Sequence, residues 1–177
     1  TLVQNVTDTA VSLGLDGINV DFEQLSSDCG PHYVEFLREL SIQCRNKGLV
    51  LSVDNYVPFN FNDYYRLDIQ GQVADYVIIM GYDEHWHGSK DPGSVASIGY
   101  VSDGLDRTLQ EVPANKVVNA LPLYTILWKT EGTDVTDEYI TMRNEAEFMS
   151  RAGVTAEWDE ETCQNYAEWT SGNATYQ

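Results

Sequence analysis

Hydrophobic residues at the start of the chain keep a helical period. Leu2, Val3, Val6, Ala10 and Leu13 recur at helical spacing, and Gly14 is a natural stop. The period then changes. In "GLDGINVDFEQL", residues 14 to 25, Ile18, Val20 and Phe22 alternate with Asn19, Asp21 and Glu23. That alternation predicts a strand over about residues 15–22 with one apolar and one polar face. Pro31 fits the first turn of a second helix, whose buried stripe is Val34, Leu37, Leu40 and Cys44 and whose end is Gly48. "LVLSVD" and "VADYVIIMGY" read as strands, with a short helix around "NDYYRLDIQG" between them. A loop, "DEHWHGSKDPGS", leads to a helix near residues 95–111. "KVVNALPLY" is a fourth strand, and a helix near residues 137–152 follows.

Four strands alternating with helices predict right-handed βαβ units, a parallel sheet and an α/β fold. The last three strands are almost wholly apolar, as when helices or a barrel interior cover both faces. The tail, "VTAEWDEETCQNYAEWTSGNATYQ", has no helical stripe and reads as two short extended segments with a Ser-Gly-Asn turn. No linker, repeat or low-complexity stretch interrupts residues 1–177, so one domain is expected.

Composition narrows the partners. Twenty-eight acids against 10 bases give a net charge of -18. Nucleic acid and anionic membrane both call for a basic surface, so neither is an expected partner. The three cysteines form no C-x-x-C pair, which argues against a disulfide framework. No apolar run reaches the roughly 20 residues of a membrane span. The chain begins without methionine and opens inside a helical pattern, so it reads as a piece of something longer.

The polar strand face carries the candidate chemistry. In α/β sheets and barrels, functional groups gather at the carboxyl ends of strands. Here those ends hold Asp21 and Glu23, then Asp54, Asn55 and Tyr56, then Tyr82 and Asp83, then Tyr124. Carboxylates at i and i+2 lie roughly 6–7 Å apart along a strand. Crowding and burial would raise one of the two, which is what general acid catalysis at neutral pH needs. The plain alternative is a strand whose polar side faces water, and a lone D-x-E decides nothing. "DEHWH" places His85 and His87 near Asp83, but with three histidines in all no metal or other cofactor is expected. Trp86 and Trp128 suit sugar faces as aromatic platforms, or else ordinary packing.

"LDGINVDFE" closely resembles the D-G-x-D-x-D-x-E signature of glycoside hydrolase family 18, the chitinase family. "MGYDEHW" is similar to the family's M-x-Y-D motif, and "ALPLYTILW" to its G-x-P-x-Y-G-R-x-W strand. The order matches strands four, six and seven of a (β/α)8 TIM barrel. The resemblance implies that the chain covers roughly strands four to seven, lacks the first three and stops before the eighth. Exposed strand edges would then favour self-association.

The resemblance also implies roles, in the substrate-assisted scheme that departs from the two-carboxylate rule. Glu23 protonates the leaving oxygen and later serves as base for water. Asp21 orients the substrate's 2-acetamido group, whose carbonyl is the nucleophile. Tyr82 donates a hydrogen bond to that group, Asp83 binds sugar, and Asn19, Met80, Tyr124, Trp86 and Trp128 line the substrate site. The expected activity is retaining hydrolysis of β-1,4-linked N-acetylglucosamine polymers, chitin or peptidoglycan. Two positions depart from the pattern. Asn19 stands for an acid; it can hydrogen-bond Asp21 but cannot share a proton with it. Ile126 stands for an arginine. The asparagine resembles bacterial cell-wall and spore-cortex members, which places the expected enzyme outside the cell or at the wall or spore. A lectin-like, non-catalytic relative is the alternative, and the presence of Glu23 speaks against it.

Overall fold

The computed structural model describes all 177 residues, and the chain separates into two compact units. The first unit comprises residues 1–80 and 104–120. It contains α1 (Leu2–Ser12), β1 (Gly17–Val20), α2 (Gly30–Lys47), β2 (Val50–Tyr56), α3 (Leu67–Val73) and β3 (Tyr76–Met80). It also contains the C-terminal part of α4 (Ile98–Thr108), from Gly104 onward, and β4 (Val117–Ala120). The four strands form one sheet in the order β1-β2-β3-β4, every pair parallel. Each new strand adds beside the last without a reversal of order. That progression is the one a (β/α) barrel uses, whereas doubly wound sheets reverse at a switch point.

One face of this sheet is the core. Leu51 and Val53 of β2 and Val77 and Ile79 of β3 are at most 1% exposed, and so are Leu37 and Leu40 of α2, the helix that packs against β2. Complete burial of each such side chain contributes roughly 1.5–3 kcal/mol. The helix is framed as its sequence requires: Pro31 lies in the first turn, and Gly48 closes the end at φ +69°. Gly17 allows β1 to approach β2, since a Cβ there would lie 2.5 Å from the Val50 carbonyl oxygen. The opposite face is not a continuous apolar run. Ser52, Asp54 and Tyr56 of β2 lie on it, half-buried, between the buried Leu51, Val53 and Asn55.

The second unit comprises residues 81–103 and 121–177. Its centre is a hairpin of β5 (Tyr124–Glu131) and β6 (Asp134–Thr141), joined by Gly132 and Thr133 with Gly132 at φ +64°. After α5 (Met142–Ala152) come four short strands, β7 (Glu157–Asp159), β8 (Gln164–Tyr166), β9 (Trp169–Ser171) and β10 (Ala174–Tyr176). The sheet order is β6-β5-β10-β9, all antiparallel, while β7 and β8 form a separate pair. Val95, Ile126, Trp128 and Val135 form the core, with Tyr82 and Tyr124 packed against it. A cavity of about 650 Å3, lined among others by Ile126, Trp128, Phe148, Met149 and Trp169, lies within the unit.

Three of the expected elements need correction. β4 ends at Ala120 rather than at Tyr124, because Pro122 has no N–H for the ladder. Tyr124 instead opens β5. The helix expected over residues 137–152 starts at Met142; residues up to Thr141, rich in β-branched and aromatic side chains, pair with β5. The tail has four short strands where two were expected. No helix is long and apolar enough to cross a membrane.

Candidate active site

In the first unit the polar alternation of the sequence ends sooner than its period suggests. β1 stops at Val20, so Asn19 is on the strand while Asp21 and Glu23 lie just beyond it, at its carboxyl end. Both acids are exposed. The chain then turns at Gln24, φ +54°, and three tyrosine hydroxyls pin the turn. Tyr56 accepts from the Gln24 N–H at 3.2 Å, Tyr65 accepts from the Leu25 N–H at 3.2 Å, and Tyr64 donates to the Leu25 carbonyl at 2.7 Å. Tyr56 also hydrogen-bonds to the Glu23 carboxylate; burial and that bond push the phenol well above its ordinary value. A carboxyl is thus presented to solvent from a backbone held on both sides.

Asn19 does not serve Asp21 in the way the sequence suggested. Its amide N–H donates to Asp54 Oδ2 at 2.7 Å, and its Oδ1 accepts from the Ser52 hydroxyl at 2.7 Å. The reason is register: Asn19 is level with Ser52 in the parallel pairing, so its side chain reaches along β2. The acid that burial raises is correspondingly Asp54. Burial is the largest cause, the Asn19 bond opposes it, and the charges of Asp21 and Glu23 add to it. Tyr33, 4% exposed, is pushed up by burial first, then by Tyr65, Asp54 and Asp21. Met80, at the end of β3, is 9% exposed. Sequence reading had found Asp54 and Tyr56 but not Ser52, Tyr33, Tyr64 or Tyr65. The doubled tyrosine in "NDYYRLD" was the one available signal.

In the second unit Tyr82, Asp83 and Tyr124 come together. The Tyr124 hydroxyl donates to Asp83, whose backbone sits at φ +59°, and the rings of Tyr82 and Tyr124 meet edge to face at 6.2 Å. Burial and the Asp83 carboxylate raise Tyr124 far above its ordinary value. Tyr139 continues the aromatic series, 5.1 Å from Tyr124 and 5.0 Å from the His87 ring. His87 is held by Asp137. Of the two tryptophans, Trp86 is 58% exposed and presents an open face. Trp128 is 2% exposed and donates its indole N–H to the Gly93 carbonyl at 3.0 Å, so it belongs to the core and not to an open platform. His85 faces the Asp91 carbonyl at 2.9 Å, and no group of three or more His, Cys, Asp or Glu side chains is placed to hold a metal ion.

The chain was compared with known proteins. Residues 1–176 match the sequence profile of the glycosyl hydrolases family 18. A Bacillus subtilis protein named as a sporulation-specific glycosylase, YdhD, is 33% identical over 134 residues, covering 72% of this chain and 31% of its own length. Its crystal structure superposes with a TM-score of 0.88 at 26% identity, over 99% of this chain and 60% of that one. The cortical fragment-lytic enzyme of Bacillus anthracis is 31% identical over 137 residues, 72% of this chain and 30% of the relative. A chitinase from Chromobacterium violaceum superposes with a TM-score of 0.84 at 26% identity, over 98% of this chain and 56% of that chain. The chain therefore spans about a third of the length of the curated relatives it matches. The fold shared with these proteins is of the TIM-barrel type.

Proposed function

The chain belongs to glycosyl hydrolases family 18, and from that premise we propose that the protein hydrolyses β-1,4-linked N-acetylglucosamine polymers with retention. One observation carries the reading: Glu23 stands exposed at the carboxyl end of β1, with Asp21 two residues before it and the Tyr56 hydroxyl on its carboxylate. Glu23 protonates the glycosidic oxygen, and the substrate's own 2-acetamido carbonyl attacks the anomeric carbon. This is the substrate-assisted exception to the two-carboxylate scheme. Asp21 orients the acetamide and stabilises the cationic ring that forms. Glu23, now a carboxylate, takes a proton from the incoming water. Tyr82, Asp83, Tyr124 and Trp86 are the substrate contacts proposed in the second unit, and Asn19 and Met80 those in the first.

The parallel strands β1 to β4 are read as strands four to seven of the barrel. The family match runs through both units, which supports reading them as parts of one catalytic domain. Relatives named for sporulation and for cortical-fragment lysis support peptidoglycan over chitin, and a place at the spore or cell wall. The test is turnover of a fluorogenic N-acetylglucosamine oligosaccharide and of cortex peptidoglycan by the full chain, beside Glu23→Gln. Loss of the acid is expected to lower kcat by about 10²- to 10⁴-fold. Equal turnover by both proteins would remove Glu23 from the mechanism.

A further inference from the structure

The segment between β3 and α4 carries two of the chain's three histidines and a lysine, and β6 holds it at two points. Asp137 provides the first. Its Oδ2 accepts from His87 Nδ1, its Oδ1 accepts from the Gly88 N–H at 3.0 Å, and its side chain is 7% exposed. A carboxylate accepts and does not donate, so the proton of the His87 bond sits on Nδ1. Nε2 makes no hydrogen bond within the chain, and the His87 side chain is 59% exposed. Val135 provides the second point, its carbonyl accepting from Lys90 Nζ at 2.8 Å. Residues i and i+2 lie roughly 6–7 Å apart along a strand, so imidazole and ammonium are anchored at neighbouring places on β6. Lys90 is in no ion pair, and its remaining N–H donors are open. The two groups adjoin the substrate contacts proposed for this unit. The His87 ring lies against Tyr139 at 5.0 Å, Tyr139 meets Tyr124 edge on at 5.1 Å, and Tyr124 donates to Asp83. The exposed Trp86 directly precedes His87.

We propose that His87 and Lys90 form a subsite for a carboxylate on the glycan, the lactyl group of the muramic acid of peptidoglycan, which chitin lacks. The inference deepens the function proposed above and rests on it. A chain of net charge -18 repels an anionic polymer, so binding one calls for cations at defined places. Donation from Nε2 to a carboxylate uses the doubly protonated ring, whose charge Asp137 offsets, and Lys90 supplies a second charged donor. A sugar hydroxyl would satisfy Nε2 alone and leave the Lys90 charge unmatched. Of the other cations in the second unit, Lys129 is paired with Glu131, and Arg143 and Arg151 sit on α5. Of the nearby acids, Asp137 is committed to His87, Asp83 accepts from Tyr124, and Asp91 lies 3.7 Å from His85.

The test uses the full chain as wild type, His87→Asn and Lys90→Met. The asparagine amide keeps a donor for Asp137 and removes Nε2; the methionine keeps the stem and removes the ammonium. Two probes are compared: an oligosaccharide of alternating N-acetylglucosamine and N-acetylmuramic acid with free lactyl carboxylates, and the same oligosaccharide with those groups converted to amides. The ratio of kcat/KM for the acid over the amide is expected to fall about three- to tenfold in each variant, through KM. A ratio that keeps its wild-type value in both variants, even if both probes are cleaved more slowly, makes the two residues supports of the loop and overturns the proposal. A fall in one variant alone overturns the pairing of the two. Calorimetric binding of the same probes decides the matter without turnover. Equal binding of acid and amide by the wild type overturns the subsite whatever the activity. Tighter binding of the acid, lost in the variants, by a protein that cleaves neither probe upholds the subsite and refutes the proposed hydrolysis.

Discussion

Asn55 and Gln70 pair their amides in both directions, at 2.7 and 2.8 Å, inside the first unit, where Gln70 is 0% exposed. Gln70→Ala leaves the Asn55 amide without that partner, at an expected cost of about 1–3 kcal/mol in urea denaturation. An unchanged midpoint would mean that water replaces the glutamine. Cysteine reactivity gives a second check at this scale. Cys29 and Cys163 are exposed, whereas Cys44 is 1% exposed and burial raises its thiol. A thiol reagent is expected to label two sites in the native protein and the third only on unfolding. The residues of the candidate site were partly legible at this scale. Asp21 and Glu23 announce themselves by period and by motif. The partners of Asn19 do not, because they depend on the register of β1 against β2, and a one-strand pattern contains no register.

Helices and parallel strands were legible where a local signal bounds them. Pro31 and Gly48 mark α2 from the sequence, and the structure keeps both. Gly48→Ala, at φ +69° with no neighbouring atom in the way, is expected to cost about 1 kcal/mol through the left-handed backbone alone. Gly17→Ala meets the Val50 carbonyl oxygen at 2.5 Å and should destabilise more, by separating β1 from β2. Thermal melts of the two variants compare these causes directly, and equal losses would refute the steric one. The hairpin β5–β6 was missed for a different reason. Its stabilisation lies across the turn, in eight residue pairs from Tyr124↔Thr141 to Glu131↔Asp134, so each strand read alone is ambiguous. "YTILWKTE", a glycine turn and "DVTDEYIT" form a hairpin signature only when taken together.

For the whole molecule, charge and sheet edges act in opposite directions. β1 and β4 are each paired on one side only, and Val118 of β4 is exposed. A net charge of -18 keeps copies apart. Sedimentation velocity is expected to show association that grows with protein concentration and with added salt, since about 0.1 M salt screens charge beyond roughly 10 Å. A sedimentation coefficient independent of both would show that the edges are inert. The division of the chain into two units has an optical consequence. All four tryptophans, Trp86, Trp128, Trp158 and Trp169, lie in the second unit, and the acid pair lies in the first. Intrinsic emission is therefore a label on one unit. Quenching on titration with a sugar would report on open indoles such as Trp86 and Trp158, at 58% and 55% exposed, and not on Glu23. Following the acid pair by light needs a fluorophore placed in the first unit, for example by Phe36→Trp beside Phe22, which the ring of Phe36 stacks against at 5.4 Å.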